Sequence, residues 1–401
     1  MMNLGRQFVC LSLIVTANSA HAATATITAQ RTGNAARSSE VVVVPFAKIQ
    51  PILPDARMFH VRLKDSSGRE LPLQVTNYEH DHHGAHYDDL VFQYDFKANE
   101  RSTKFTLETV AETTPPVPSR VYARFVPERF DDFAWENDRI AHRAYGPALN
   151  SPAAEQAGER MRASGIDVWG KKVEYSIIDR WYLKGHDQFH KDGEGEGLDL
   201  YSIGGSRGAG GTGIWDGRNL STSDNFAKWR VLANGPLRAV FELDYAPWQA
   251  GTASIAERKR FIVEAGRNFD EVTSTLAFTG DPQTLAIGIT HHPKVETTLN
   301  KDPNGRFMSV WEESPDGGLG IAVILAPDAE PAGFADQPVG PKGEFGNYLL
   351  LVRATASKPV HYYLGAGWDR SGQFKSRADW DRYVADFVSR ITDPIQVTVT
   401  P

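Results

Sequence analysis

Apolar and polar residues alternate one by one through much of this 401-residue chain. A period of two fits a strand with one buried face and does not fit a helix. Residues 59–63 (FHVRL), 90–96 (LVFQYDF) and 104–110 (KFTLETV) carry the pattern, and Val41 to Val44 form an all-valine run. Together they predict a small N-terminal sandwich over residues 23–111, of ordinary size for such a domain. Residues 112–118 (ETTPPVP) read as a linker, because Pro removes ladder donors and stiffens the backbone. Strand candidates then recur over residues 119–401, including 121–126, 173–183, 237–245, 269–278, 285–290 and 348–353. Asn234-Gly235 marks a tight hairpin between two of them. Two segments read as helices. One starts at Ser151-Pro152 and runs toward Arg162. The other carries Trp380, Tyr383, Val384, Phe387, Val388 and Ile391 at helical spacing, with Ser376 and Asp379 as a capping pair. The predicted fold class is therefore all-β, with one clear C-terminal helix.

The first 22 residues read as a secretory leader: Arg6, a short apolar run over 8–17, and a small-x-small site at Ala20-His21-Ala22. The run is too short to span a bilayer, and no later stretch is long and apolar enough. The expected address is the periplasm or the medium, without membrane insertion. Cys10, the only cysteine, falls in the leader, so the remainder must fold without disulfides. The formal charge is −7, which argues against nucleic acid as a partner. It still permits an anionic sugar at a local cluster of Arg or Lys. The sequence sets no oligomeric state.

Five segments could carry chemistry. In residues 133–147 (FAWENDRIAHRAYGP), a single continuous strand would put Trp135, Asn137, Arg139 and Arg143 on one face. An aromatic platform, an amide and two guanidinium groups suit a sugar carboxylate. The plainer alternative is a solvated strand whose arginines pair with Glu136 or Asp138. In residues 186–201 (HDQFHKDGEGEGLDLY), His190, Asp199 and Tyr201 stand among glycines and carboxylates, a setting that tunes proton-transfer groups. The alternative is a flexible acidic loop. Residues 204–217 (GGSRGAGGTGIWDG) lack the Lys and Ser/Thr of a phosphate loop, so the glycines point to close backbone approach, with Arg207 and Trp215 reaching one cleft. The alternative is a mobile surface loop. His80, His82, His83 and His86 invite a zinc reading, but their spacing matches no strong zinc pattern. His291-His292 follow a strand, so at most one faces a cleft. The sequence requires no cofactor, names no metal, and leaves room for a divalent cation.

The stretches FAWENDRIAHRAYGP and HKDGEGEGLDLY, with GAGG at 208–211, resemble a bacterial family long called a domain of unknown function. Its members often occur in polysaccharide-degradation gene clusters, and it includes an oligosaccharide dehydratase of ulvan breakdown. The resemblance implies a galactose-mutarotase-like β-supersandwich as the catalytic domain. It also implies loss of water from the non-reducing-end uronic acid of an acidic oligosaccharide, a carbon–oxygen lyase reaction. That chemistry needs a group to neutralise the sugar carboxylate, a base at C5 and an acid for the C4 hydroxyl. The residues offer Arg139 and Asn137 for the carboxylate, Trp135 for the ring, and His190 and Tyr201 as base and acid in either order. Arg143, Arg207, Trp215 and Asp199 would line the approach. A glycoside hydrolase or mutarotase on the same fold remains open, with Glu136, Asp199 and Glu194 as carboxylates, as does a sugar-binding protein without turnover.

Overall fold

The alternating runs pair as the sequence predicts. Thr24–Gln30 buries Ala25, Ile27 and Ala29 and turns its threonines outward. This computed structural model describes residues 23–79 and 86–401. The expected leader, and His80, His82 and His83, lie outside the described residues. Thr24–Gln30 sits between Ser102–Thr109 and Gln396–Thr400 in a five-stranded sheet. That sheet faces a three-stranded one built from Arg37–Pro45, Asp89–Phe96 and Leu73–Val75. Phe92, Phe105, Leu63 and Val397 share the core between them. The expected unit over residues 119–401 is thus corrected at its end. Its last strand returns to the N-terminal sandwich, where Val397 finds an apolar layer to bury in.

The larger part stacks an eight-stranded sheet, from Lys228–Asn234 at one edge to Glu296–Lys301 at the other, against two five-stranded sheets. The first of these runs Gly197–Asp199, Ile166–Lys171, Ile140–Ala144, Asp132–Asn137, Val121–Val126. The second centres on Ala209–Trp215, Gln283–His291 and Gly346–Ala354. A bridge between Ile166 and Gly208 joins the two into one layer, and a single apolar core touches all three sheets. The fold is all-β, a large two-layer sandwich with a smaller one attached. Helix Arg377–Thr392, capped by the Ser376 hydroxyl, lays Trp380, Val384 and Phe387 on Phe269 and Trp311 on the far side of the long sheet.

Three local expectations are corrected. Residues 133–147 form two strands instead of one, joined by the two-residue turn Asp138-Arg139. The Asn137 side chain shapes that turn: Oδ1 accepts from the backbone N–H of Arg139 and Ile140, and Nδ2 donates to the carbonyls of Glu264 and Arg267. Residues 173–183, expected as a strand, contain helix Ile178–Lys184. The Glu136 carboxylate accepts from the N–H groups of Ile177 and Ile178, so a strand neighbour satisfies the start of this helix. The helix expected from Ser151 toward Arg162 closes early, at Pro152–Gln156.

Candidate active site

The turn at Asp138-Arg139 reverses the parity of the side chains. Arg143 pairs across the sheet with Ala134 and Asp167, whereas His142 pairs with Trp135 and Val168. The inner face of the first five-stranded sheet is therefore apolar, with Phe133, Trp135, Ile140, Val168 and Leu198 in the core. The outer face carries Asp132, Glu136, Arg143, Asp167, Lys171 and Asp199, all buried. Segment 172–196 covers it. Trp181, Tyr182 and Phe189 from two short helices pack on Trp169, whose ring stacks on Trp181 and Phe189 at 5.4 and 5.2 Å.

Beneath this cover, three carboxylates surround one guanidinium. Arg143 donates through Nε and Nη2 to Asp167 Oδ2, at 2.9 and 2.5 Å, and through Nη2 to Asp199 Oδ2 at 3.0 Å. Its Nη1 lies 3.9 Å from Asp132 Oδ2. One cation cannot neutralise three buried anions, so protons must make up part of the difference. Burial first, and then the charge of Asp167, push the Asp199 carboxyl well above the usual carboxylate range, with Arg143 opposing only in part. Burial raises Asp132 to about 6.

His190 lies at the margin of this cluster. Its Nδ1 is 3.2 Å from the Asp199 carbonyl and 3.6 Å from Asp199 Oδ2. A carbonyl only accepts, so Nδ1 carries a hydrogen. The His190 side chain is 42% exposed and that of Asp199 only 3%. An imidazole that solvent can reach is thereby held against a buried acid that it cannot. A cavity of 110 Å³ beside Phe189 is lined by Trp181, Lys184, Gln188, Lys191 and Glu196.

The other expected site residues lie elsewhere. The Trp135 ring is buried against Phe241 and Phe261, and its Nε1 donates to Asp270 Oδ2 at 2.7 Å, so no sugar can stack on it. Asn137 is spent on the turn. Arg139, about 13 Å along the strand from Arg143, lies 3.9 Å from Glu174 and 4.0 Å from Asp138. The Tyr201 hydroxyl sits in the core, donating to the Gly208 carbonyl at 3.3 Å and accepting from Thr290 N–H at 3.2 Å. Arg207 is buried between the sheets and donates to Ser164 Oγ and to the Gly205 and Thr212 carbonyls. Trp215 packs beside Ala286 and Leu349. Gly208 has a positive φ of 60°, and a Cβ there would stand 2.0 Å from the Ile166 carbonyl oxygen, so this glycine serves the junction of two sheets and not a ligand. Glu136 pairs with Lys171 at 2.5 Å, and Glu194 with Lys184 at 2.6 Å. His86 is exposed. Among the described residues, no group of three or more His, Cys, Asp or Glu is arranged to hold a metal. None of the described helices is long and apolar enough to cross a membrane.

Sequence reasoning passed over Asp167 and Asp132, which only strand pairing brings to Arg143. It also passed over a second Asp–His pair on the inner face. There, His142 Nδ1 faces the Asp167 carbonyl at 3.1 Å, and Nε2 lies 3.7 Å from Asp270 Oδ2. Burial lowers His142 to about 4 and raises Asp270 to about 7. A larger cavity of 680 Å³ lies between the N-terminal sandwich and the hairpin at Gly235, among Met58, Phe59, Pro72 and Pro116. It is larger than the cavity beside Phe189, but the buried acids cluster next to His190.

Two solved structures from Enterococcus faecalis are similar in fold. A protein in glycosyl hydrolase family 38 aligns over 94% of this chain and 47% of its own, at 11% identity and a TM-score of 0.49. An alpha-mannosidase aligns over 94% and 46%, at 10% identity and a TM-score of 0.45. The chain spans about half the length of these structures. Uncharacterized protein P7 of Formosa agariphila is 34% identical over 319 residues, 78% of each chain. The family model described as "Domain of unknown function (DUF4861)" matches residues 30–397, and the chain belongs to that family.

Proposed function

We propose that this protein is an exported, carbohydrate-active carbon–oxygen lyase that removes water from the non-reducing-end uronic acid of an acidic oligosaccharide. The observation that carries the reading is His190, a reachable imidazole whose Nδ1 is fixed by Asp199. Its Nε2 lone pair takes the C5 hydrogen, which is weakly acidic beside the sugar carboxylate. The same nitrogen returns that proton to the departing C4 hydroxyl, so water leaves and a C4–C5 double bond forms. One imidazole thus serves as base and then as acid. Asp199, buried behind it, is a positioning residue. Lys191, at the cavity beside Phe189, supplies positive charge for the carboxylate, while Lys184 there is already paired with Glu194 and Glu196.

Elimination is favoured over glycoside hydrolysis by the layout of the acids. A hydrolase needs two carboxyl groups on either side of the bond, about 5–9.5 Å apart. Here Asp132, Asp167 and Asp199 are all buried around one guanidinium, so none of them presents a carboxylate to a glycosidic bond from the solvent side. The test is incubation with uronate-ended oligosaccharides, followed by ultraviolet absorbance and mass spectrometry. An absorbing product one water lighter is expected, and it should disappear with His190→Ala. A product with a new reducing end and no double bond, or full turnover by His190→Ala, would overturn the reading.

A further inference from the structure

The two nitrogens of His292 each face a group that accepts. Nδ1 lies 2.9 and 3.0 Å from the two carboxylate oxygens of Glu312, and Nε2 lies 2.6 Å from the Ser202 carbonyl. A neutral imidazole has one N–H and one lone pair, so it can satisfy only one of two acceptors. An imidazolium satisfies both. Ser202 belongs to the segment that leads out of Asp199, and this segment is tied down at several points. Tyr201 bonds to Gly208 and Thr290, Ser206 Oγ lies 2.7 Å from Thr290 Oγ1, and Arg207 N–H donates to Asn347 Oδ1.

We propose that His292 is a positioning residue for the site: charged, it clamps residues 199–208 to the second five-stranded sheet and so holds Asp199 against His190. This deepens the lyase reading and rests on it for the consequence in turnover. The groups that face His292 are Glu312, on Phe307–Ser314, the Tyr201 ring at 5.1 Å and the Phe345 ring at 4.9 Å. Neither ring is charged: burial pushes the Tyr201 hydroxyl well up. Burial of His292 opposes its charge, but the hydrogen bond and charge of Glu312 outweigh this and raise its pKa. His291, next in the strand, turns away and stacks on Tyr348 at 4.4 Å. The clamp is therefore engaged at neutral pH and released as the pH rises.

The test uses isotope-labelled protein with His292→Phe and Glu312→Gln. Nitrogen shifts of His292 should show both ring nitrogens protonated at neutral pH, with a midpoint above the ordinary value of about 6.5. Amide-exchange protection of residues 200–206 should fall through that midpoint in the parent and be low at every pH in His292→Phe. Glu312→Gln should move the midpoint down by about one pH unit. Turnover of uronate oligosaccharides should lose its high-pH fall in His292→Phe and sit about tenfold to a hundredfold lower throughout. A single protonated nitrogen at neutral pH, as when a protonated Glu312 donates to Nδ1, would overturn the clamp. So would unchanged protection in both variants. If no uronate oligosaccharide is turned over, the lyase reading falls, while the nitrogen shifts and exchange rates still decide the clamp.

Discussion

One sheet carries an Asp–His pair on each face, and the two differ in access. On the outer face, His190 lies 3.6 Å from Asp199 and is 42% exposed. On the inner face, His142 lies 3.7 Å from Asp270, and both side chains are 1% exposed. Burial raises the carboxyl in each pair. A shifted acid beside a histidine is therefore no sufficient sign of catalysis. What separates the pairs is whether a substrate can reach the imidazole.

The largest expected effect separates them directly. His190→Ala should lower turnover by about 10² to 10⁴-fold and leave the denaturation midpoint near that of the parent. His142→Ala should do the reverse. It opens a cavity and strips Asp270 of its neighbour, at a cost of about 2–4 kcal/mol in urea unfolding. If His142→Ala lowers turnover more than it lowers stability, the assignment of faces is wrong.

The inner pair also makes a prediction about pH. Between about pH 4 and 6.5 the folded pair holds one proton, on Asp270, because His142 is lowered to about 4 and Asp270 raised to about 7. The unfolded pair also holds one, on the histidine. Proton counts match, so this pair adds almost no slope to stability in that window. Removing one partner exposes the other. In Asp270→Asn the unfolded chain binds more protons, so stability should rise with pH by about 1.4 kcal/mol per unit across the window. In His142→Gln the folded chain binds more, so stability should fall by a similar amount per unit up to about pH 7. Unfolding in urea at several pH values reads both slopes. Parallel profiles in the two variants would mean that Asp270 and His142 do not share a proton as the geometry implies.

Smaller effects sharpen the outer site. Asp199→Asn keeps a partner of the same shape behind His190 and should lower turnover by about tenfold. Tyr201→Phe removes two buried hydrogen bonds and should cost about 1–2 kcal/mol in stability, with turnover within a few-fold of the parent. Arg139→Ala, near the surface, should change stability by less than about 0.5 kcal/mol. A hundredfold loss of turnover in Tyr201→Phe would restore its role as acid, and one in Arg139→Ala would move the site to the Asp138-Arg139 turn.

Much of the scaffold is legible in sequence, because strand alternation and the Ser376 cap are local signals. The C-terminal helix forms with its apolar stripe on the sheet, and the hairpin at Asn234-Gly235 forms with Gly235 at φ 83°. The site was legible only in part. The sequence marks His190, Asp199 and Tyr201 alike as candidates, and nothing local in it tells that the Tyr201 ring faces the core. The turn at Asp138-Arg139 decides which face Arg143 takes, and it depends on carbonyls of Glu264 and Arg267, far along the chain. Helix Ile178–Lys184 has no cap of its own in sequence, since Glu136 supplies it across the fold. Tertiary partners overrode local pattern at these places.

The pairing of Gln396–Thr400 with Thr24–Gln30 has a temporal consequence. The small sandwich stays one strand short until residues 396–400 emerge, with the edge of Thr24–Gln30 unpaired meanwhile. Full consolidation of that module waits for a strand about 370 residues downstream of its partner.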